Sequence, residues 1–204
     1  MAAESAGFGD YEFERRFFVS QLPAEYRQNP TLIVQSYFLA DHGYALRVRC
    51  QASGIEAQHL EQSKPVDILR KYADYVSLAT VTVKGPSGGG TRYEAEREID
   101  KRIGIEMVAR GGNRIVKTRY STWIDEDGWV VDVFGGRNSG LIIAECERAS
   151  PVTKLAIPAF CQAEVTDDYR FSNEELAGHP WPSFRDSYLS QPPGPHAGIR
   201  KDLG

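Results

Sequence analysis

The sequence predicts a mainly β (α+β) fold, an antiparallel barrel or sandwich with helices on its outside. Short segments in which charged residues alternate with apolar, β-branched or aromatic residues recur along the chain. A period of two is the pattern of a strand with one buried face. Turn residues separate these segments, and only a few stretches have helical spacing. Many strands with few helices are typical of such folds.

Eight segments carry the strand pattern, and the turns between them agree with antiparallel pairing. The predicted strands are residues 11–19, 31–39, 44–51, 78–84, 92–99, 114–123, 129–134 and 141–148. Residues 41–43 and 125–128 are predicted tight turns, and the Gly-rich stretch 85–90 is a predicted flexible hairpin loop.

Helices are predicted where this alternation stops. Residues 22–27 are expected to form one short turn, and residues 100–110 a helix that ends at Gly111. Ser172 has capping-box spacing to Glu175 before another short helix. Residues 53–75 form a helical insertion, which is either a surface helix or a lid or partner contact.

The length of 204 residues favours one domain. We expect it to span residues 10–187, between flexible segments at 1–9 and 188–204. The net charge of −4 does not fit a general nucleic-acid binder, which carries a basic excess. No apolar run approaches the roughly 20 residues that cross a membrane. The three cysteines lack metal-type spacing, so we expect a reducing cytoplasmic location without disulfides.

Pairs of like charges two residues apart occur on most of the predicted strands. Side chains at i and i+2 of a strand point to the same side, about 7 Å apart. Each pair therefore projects two like charges from one face. The pairs and runs are Glu12 with Glu14, Arg47 with Arg49, Glu94 with Glu96 and Glu98, Lys117 with Arg119, and Glu145 with Glu147, and the same faces are extended by Arg16, Lys84 and Asp132.

Two interpretations of these charged faces are open. They could be the solvated faces of ordinary half-buried sheets, or they could line the wet interior of a closed barrel. Acidic residues cluster with acidic ones and basic with basic, whereas solvated faces usually mix both signs, so the pattern favours the interior. Paired carboxylates suit Mg²⁺ or Mn²⁺, and paired Arg and Lys side chains suit phosphate oxygens.

The order of these motifs resembles the CYTH proteins, also called triphosphate tunnel metalloenzymes. The family hallmark ExExK is matched by Glu12-Phe13-Glu14-Arg15-Arg16, except that Arg16 stands in place of the lysine. Arginine keeps the charge but is a planar fork rather than a compact point charge. Further matching segments cover most of the chain: residues 35–39, 46–49, 80–85, 92–96, 117–120, 131–134, 140–147 and 169–177.

The resemblance implies a closed eight-stranded antiparallel tunnel and a set of site residues by position. The implied metal-side carboxylates are Glu12, Glu14, Glu94, Glu96, Asp132, Glu145 and Glu147. The implied triphosphate-binding residues are Arg16, Arg47, Arg49, Lys84, Arg92, Lys117 and Arg119. Glu14, Arg16 and Glu96 are the expected catalytic residues among them.

The predicted function is metal-dependent hydrolysis of a small triphosphate with Mg²⁺ or Mn²⁺ as cofactor. Inorganic tripolyphosphate, thiamine triphosphate and nucleoside triphosphates are the candidate substrates. Two alternatives are kept: a class IV-like adenylyl cyclase that makes cyclic AMP from ATP, and a polyphosphate- or nucleotide-binding module without turnover. The expected partner is the triphosphate alone, without nucleic acid or membrane, and a homodimer is an open alternative to a monomer.

Overall fold

The computed structural model describes residues 11–57, 60, 62–88, 91–148 and 155–190, which form one nine-stranded antiparallel sheet and four α-helices. The strands are β1 (Tyr11–Val19), β2 (Thr31–Asp41), β3 (Tyr44–Ser53), β4 (Leu78–Gly88), β5 (Thr91–Glu98), β6 (Asn113–Ile124), β7 (Asp127–Phe134), β8 (Ile142–Arg148) and β9 (Cys161–Glu164). The helices are α1 (Pro65–Lys71), α2 (Lys101–Arg110), α3 (Asn173–Gly178) and α4 (Arg185–Ser190).

The sheet follows the order β5-β4-β3-β2-β6-β7-β8-β1-β9. One edge of β1 is shared by two strands. Its first residues, up to Phe13, pair with β5, and Phe17 to Val19 pair with β9. The other edge of β1 pairs with β8, where Arg16 lies opposite Glu145.

The predicted mainly β antiparallel fold is confirmed, but the closed barrel of eight strands is wrong. The sheet has nine strands, and it is not closed along the length of β1 because β5 leaves that strand after Phe13. The short strand β9 takes the vacated edge. Strand β9 was not predicted, because Cys161–Glu164 is too short to show a clear alternation of charged and apolar residues.

The hydrophobic core forms three clusters: the first lies on the same face of the sheet as the charged pairs, because Phe18 follows Arg16 on β1 and Ile143 precedes Glu145 on β8, and the other two lie on the opposite face. One cluster joins Phe18, Leu141 and Trp181 near α3 and α4. A second lies between the sheet and helices α1 and α2, and a third between β1, β7 and β8. Cys146 is fully buried in the third cluster, on the face opposite to its neighbours Glu145 and Glu147.

The insertion at residues 53–75 packs on the outside of the sheet. Helix α1 begins at Pro65, and its residues Ile68 and Leu69 are buried against Leu32 and Val34 of β2. These contacts extend the core. The described part of the insertion is therefore a surface helix that covers the outer face.

Several predicted boundaries change in the structure. The tight turn at 41–43 is present, with positive φ at His42 (46°) and Gly43 (83°). The predicted turn at 22–27 is a 3-10 helix over Ala24–Tyr26. The predicted loop at 85–90 is β-structure as far as Gly88, because β4 continues beyond a register shift after Lys84.

The C-terminal boundary also moves. Helix α4 continues to Ser190, and Tyr188 is buried against the rings of Phe18 and Phe171, so the described chain stays packed beyond residue 187. The expected flexible segment 1–9 and residues 191–204 of the expected flexible tail 188–204 lie outside the described residues. Within the described ranges, no helix has the length and apolarity to cross a bilayer.

Candidate active site

The charged pairs lie on one face of the sheet, where they form two ion-pair clusters. The first joins β3, β4 and β5 around Arg47, whose side chain is 3% exposed. Its Nη2 donates to Thr82 Oγ1 at 2.8 Å, Glu96 Oε2 at 3.0 Å and Glu94 Oε1 at 3.2 Å. Lys84 forms a further ion pair with Glu94.

Glu96 stays ionised in this cluster. Burial raises the pKa of its carboxyl, but the hydrogen bond that Thr82 Oγ1 donates at 2.7 Å and the charges of Arg49 and Arg47 together hold that pKa below its ordinary value. The fixed carboxylate in turn orients Arg47.

The second cluster joins β6, β7 and β8 around Asp132, which is fully buried. Lys117 Nζ donates to Asp132 Oδ2 at 2.5 Å, and Arg119 donates to both carboxylate oxygens at 2.8 Å. Arg119 Nη2 also reaches Glu145 Oε2 at 3.1 Å. Burial raises the pKa of Asp132, but Arg119 and Lys117 lower it far below its ordinary value, so both oxygens act as acceptors.

Arg49 lies between the two clusters and has no carboxylate within ion-pair distance in the described part of the chain. Its Nε donates to Gln35 Oε1 at 3.1 Å. Burial and repulsion from Arg47 and Arg119 lower the pKa of Arg49 to about 10. Three guanidinium groups thus converge with a local excess of positive charge, which is the electrostatic condition for binding an anion.

Two buried donors at this face also lack acceptors. The Nε atoms of Arg16 and Arg47 make no hydrogen bond within the described residues. Buried polar groups in native proteins are almost always paired. These N–H groups are therefore available to the oxygens of a bound anion.

Carboxylates accumulate where the start of β1 pairs with the end of β8, a place called the carboxylate edge below. Glu14 lies directly opposite Glu147, and the next inward pair is Arg16 with Glu145. Burial and the nearby charge of Asp132 raise the pKa of Glu145, so the site disfavours a further negative charge. Arg16 Nη2 contacts Glu14 Oε1 at 3.0 Å.

This edge fits a divalent cation by its donor chemistry. No group of three His, Cys, Asp or Glu residues in the described ranges is drawn together as metal ligands are. Directly opposed like charges destabilise a sheet, however, and a cation between Glu14 and Glu147 would remove that repulsion. Carboxylate oxygens are the ligands that Mg²⁺ and Mn²⁺ prefer.

The N-terminal turn of α3 reaches the basic face. Asn173 Oδ1 accepts a hydrogen bond of 2.8 Å from Lys117 Nζ, and Glu174 forms an ion pair with Arg92. Arg92 also donates to the carbonyl oxygens of Gly85 at 2.6 Å and Gly43 at 2.8 Å. The Arg92 guanidinium therefore joins both neighbouring hairpins to α3.

The structure brings most of the predicted site residues to one face. Acidic and basic side chains contact each other there instead of forming separate groups. Asp132, Glu94 and Glu96 contact basic side chains, and Glu147 is exposed at the β8 edge. The side chain of Glu12 lies outside the described residues, although β1 begins one residue before it. The roles of these residues as metal or phosphate ligands stay predictions.

Four residues at this face were not predicted: Gln35, Thr82, Asn173 and Glu174. Gln35 and Thr82 are uncharged, so the search for like-charge pairs passed over them. Asn173 and Glu174 are distant in sequence from the strands they contact. Their signal was the short capped helix after Ser172, which gives no contact partner by itself.

Two of the known proteins to which this chain is similar are inorganic triphosphatases. The inorganic triphosphatase of Acetivibrio thermocellus is 28% identical over 177 residues, which cover 86% of this chain and 98% of that protein. A solved structure described as the inorganic triphosphatase NE1496 is 27% identical to this chain, with a TM-score of 0.52. The match covers 81% of this chain and 93% of the chain in that structure. No protein-family model matches the chain.

Proposed function

We propose that the chain is a member of the CYTH family of triphosphate tunnel metalloenzymes, namely a metal-dependent triphosphatase whose substrate is inorganic tripolyphosphate, and its similarity to two inorganic triphosphatases supports this. The observation that carries this proposal is the convergence of Arg47, Arg49 and Arg119 on one buried face, with no carboxylate paired to Arg49 among the described residues. A bound phosphate group would supply the negative charge that Arg49 lacks.

The basic residues bind and orient the phosphates. Arg47 and Arg119 are held by carboxylates in fixed positions, and Arg49 lies between them. Arginine offers planar pairs of donors that match phosphate oxygens bidentately. The Nε–H groups of Arg16 and Arg47 have no acceptor within the described residues, so they can donate hydrogen bonds to phosphate oxygens at the same face. Catalysis of phosphoryl transfer consists mainly of such positioning and charge stabilisation.

Glu14 and Glu147, with Glu145 beside them, would hold the divalent ion, and Mg²⁺ or Mn²⁺ fits these oxygen donors. When bound, such an ion withdraws charge from phosphate oxygens. Arg16 bridges this edge and the basic face, because it contacts Glu14 at 3.0 Å and lies opposite Glu145. A phosphate held by Arg16 would therefore lie next to the carboxylate edge.

Asp132 has a different role in this proposal. Both its oxygens accept hydrogen bonds from Lys117 and Arg119. It orients these two cations toward the substrate, and the rigidity of the pair lowers the reorganisation needed during the reaction.

We place the protein in the cytoplasm, because its three cysteines are free thiols.

A phosphate-release assay with a panel of substrates tests the function. The panel contains tripolyphosphate, thiamine triphosphate, ATP and pyrophosphate, each with Mg²⁺ and with Mn²⁺, and cyclic AMP is measured in the ATP arm. We expect the largest kcat/KM for tripolyphosphate and no release without metal. No release from any triphosphate would refute the proposal, and cyclic AMP with pyrophosphate would identify a cyclase instead.

A further inference from the structure

A cavity lies next to Arg16, at the end of the charged face that carries Glu14. Its volume is about 330 Å³, and it lies between the tip of the β2–β3 hairpin and residues 166–175. Small-molecule pockets have volumes of roughly 300–1,000 Å³. The space beside Arg16 therefore suffices for a group attached to the phosphate that Arg16 holds.

The charge of this cavity is opposite to that of the basic face. Five carboxylates line it, namely Glu14, Asp41, Asp167, Glu174 and Glu175. The two arginines in its wall are Arg16 and Arg92. Arg92 is engaged by Glu174 and by the carbonyl oxygens of Gly43 and Gly85. A phosphate in the cavity would meet mainly negative charge.

Glu174 is the carboxylate fixed most firmly at this position. Its side chain is 19% exposed and is paired with Arg92. The helix that carries it is anchored from the other side, because Leu176 and Ala177 are buried in the core and Asn138 Nδ2 donates to the Leu176 carbonyl at 3.0 Å. Because the helix is held in place, the Glu174 side chain cannot turn away from a substrate without breaking its ion pair with Arg92.

We propose that Glu174, held in place by Arg92, limits the substrate to three phosphates by repelling a fourth. The inference rests on the proposed function and adds the length of the phosphate chain to it. The cavity has room for the extra group, so charge rather than space sets the limit. Rejection of a wrong ligand by like charge is a common source of specificity.

The test compares inorganic tripolyphosphate with inorganic tetrapolyphosphate. The quantity measured is the ratio of kcat/KM for the longer chain to kcat/KM for the shorter one. Glu174→Gln keeps the size of the side chain and an acceptor for Arg92, but removes the charge. We expect this ratio to rise about tenfold, since one charge close to a phosphate at a partly buried site has at least this effect.

Glu106→Gln is the matched control. It removes the same charge from α2, where Glu106 forms an exposed i,i+4 pair with Arg110 and does not line the cavity. The ratio in this variant should equal that of the wild type. If Glu174→Gln merely disturbed the fold, or raised affinity for every anion, activity toward both substrates would change together and the ratio would stay constant.

An unchanged ratio in Glu174→Gln would overturn the inference. Titration calorimetry gives the corresponding ratio of binding constants for tetrapolyphosphate and tripolyphosphate, so the inference is tested even without turnover. Failure of the proposed function has a different signature, namely that the wild type releases no phosphate from tripolyphosphate.

Discussion

Glu14 on β1 and Glu147 on β8 lie directly opposite each other in the sheet. Side chains of directly paired residues in antiparallel strands project from the same face, and like charges in this arrangement repel. Arg16 contacts Glu14 but leaves Glu147 at the exposed edge. This pair of carboxylates is the part of the structure that calls most clearly for a cation.

Removing either carboxylate should weaken metal binding and hydrolysis. We expect Glu14→Gln to lower kcat for tripolyphosphate by about 100-fold or more while the fold is kept. Glu147→Gln should raise the Mn²⁺ concentration needed for half-maximal activity by about tenfold. Initial rates over a range of Mn²⁺ concentrations measure both effects.

The control for these variants is Glu25→Gln, which changes a carboxylate in the 3-10 helix Ala24–Tyr26 that belongs to neither ion-pair cluster and does not line the cavity. It should behave as the wild type. Full activity of Glu14→Gln at limiting metal would contradict the role assigned to this edge.

Asp132 should matter for stability as well as for activity. Asp132→Asn leaves Lys117 without an ion-pair partner among the described residues and leaves Arg119 with Glu145 alone, at a buried position. Breaking a buried ion pair by removal of one partner costs about 3–5 kcal/mol of unfolding free energy. Urea denaturation measures this loss, and Asp186→Asn, in an exposed pair with Arg185, is the control. An unchanged unfolding free energy in Asp132→Asn would show that the pair is not structural.

The stability of the protein should also depend on the ionisation of Lys117. Burial lowers the pKa of Lys117 to about 8 from its ordinary 10.5, against the attraction of Asp132. In the window between these two values the unfolded chain binds more protons than the folded one, so this residue makes unfolding less favourable as pH rises.

The measurement is the unfolding free energy at pH 7.5 and at pH 10 for the wild type and Lys117→Met. The wild type should gain stability relative to Lys117→Met as the pH rises through this window. The opposite trend would mean that the attraction of Asp132 outweighs burial and that the amine stays charged.

The cysteines should be inert in the folded protein. Cys50, Cys146 and Cys161 are buried free thiols. Burial raises the pKa of Cys50 and of Cys161 to about 12, so their thiolate fraction is very small at neutral pH. A chromogenic disulfide reagent at pH 8 should titrate all three only after denaturant is added. Rapid modification of any of them in the native protein would contradict this prediction.

The strand pattern of the sequence predicted which residues share the charged face, because a period of two fixes the side on which each side chain points. It did not predict which signs meet. Arg47 on β3 contacts Glu96 on β5 across β4, since neighbouring antiparallel strands bring distant segments side by side. The charges that we expected to be segregated by sign instead form ion pairs, and among the described residues Arg49 has no carboxylate partner.

The features that sequence reasoning missed depend on contacts between distant segments. Strand β9 is defined by its pairing with β1 rather than by its own alternation. The contact between Asn173 and Lys117 joins a short helix to β6 across 56 residues of sequence. Neither contact follows from local residue patterns.

The most direct test of the account is the effect of Arg49→Met on two quantities. Arg49 has no carboxylate partner within the described ranges, so a similar-sized apolar side chain should raise the unfolding free energy by about 1 kcal/mol or more. If the residue holds the triphosphate, kcat/KM for tripolyphosphate should fall by about 100-fold. A variant that keeps wild-type kcat/KM would contradict the claim that this buried basic face binds the substrate.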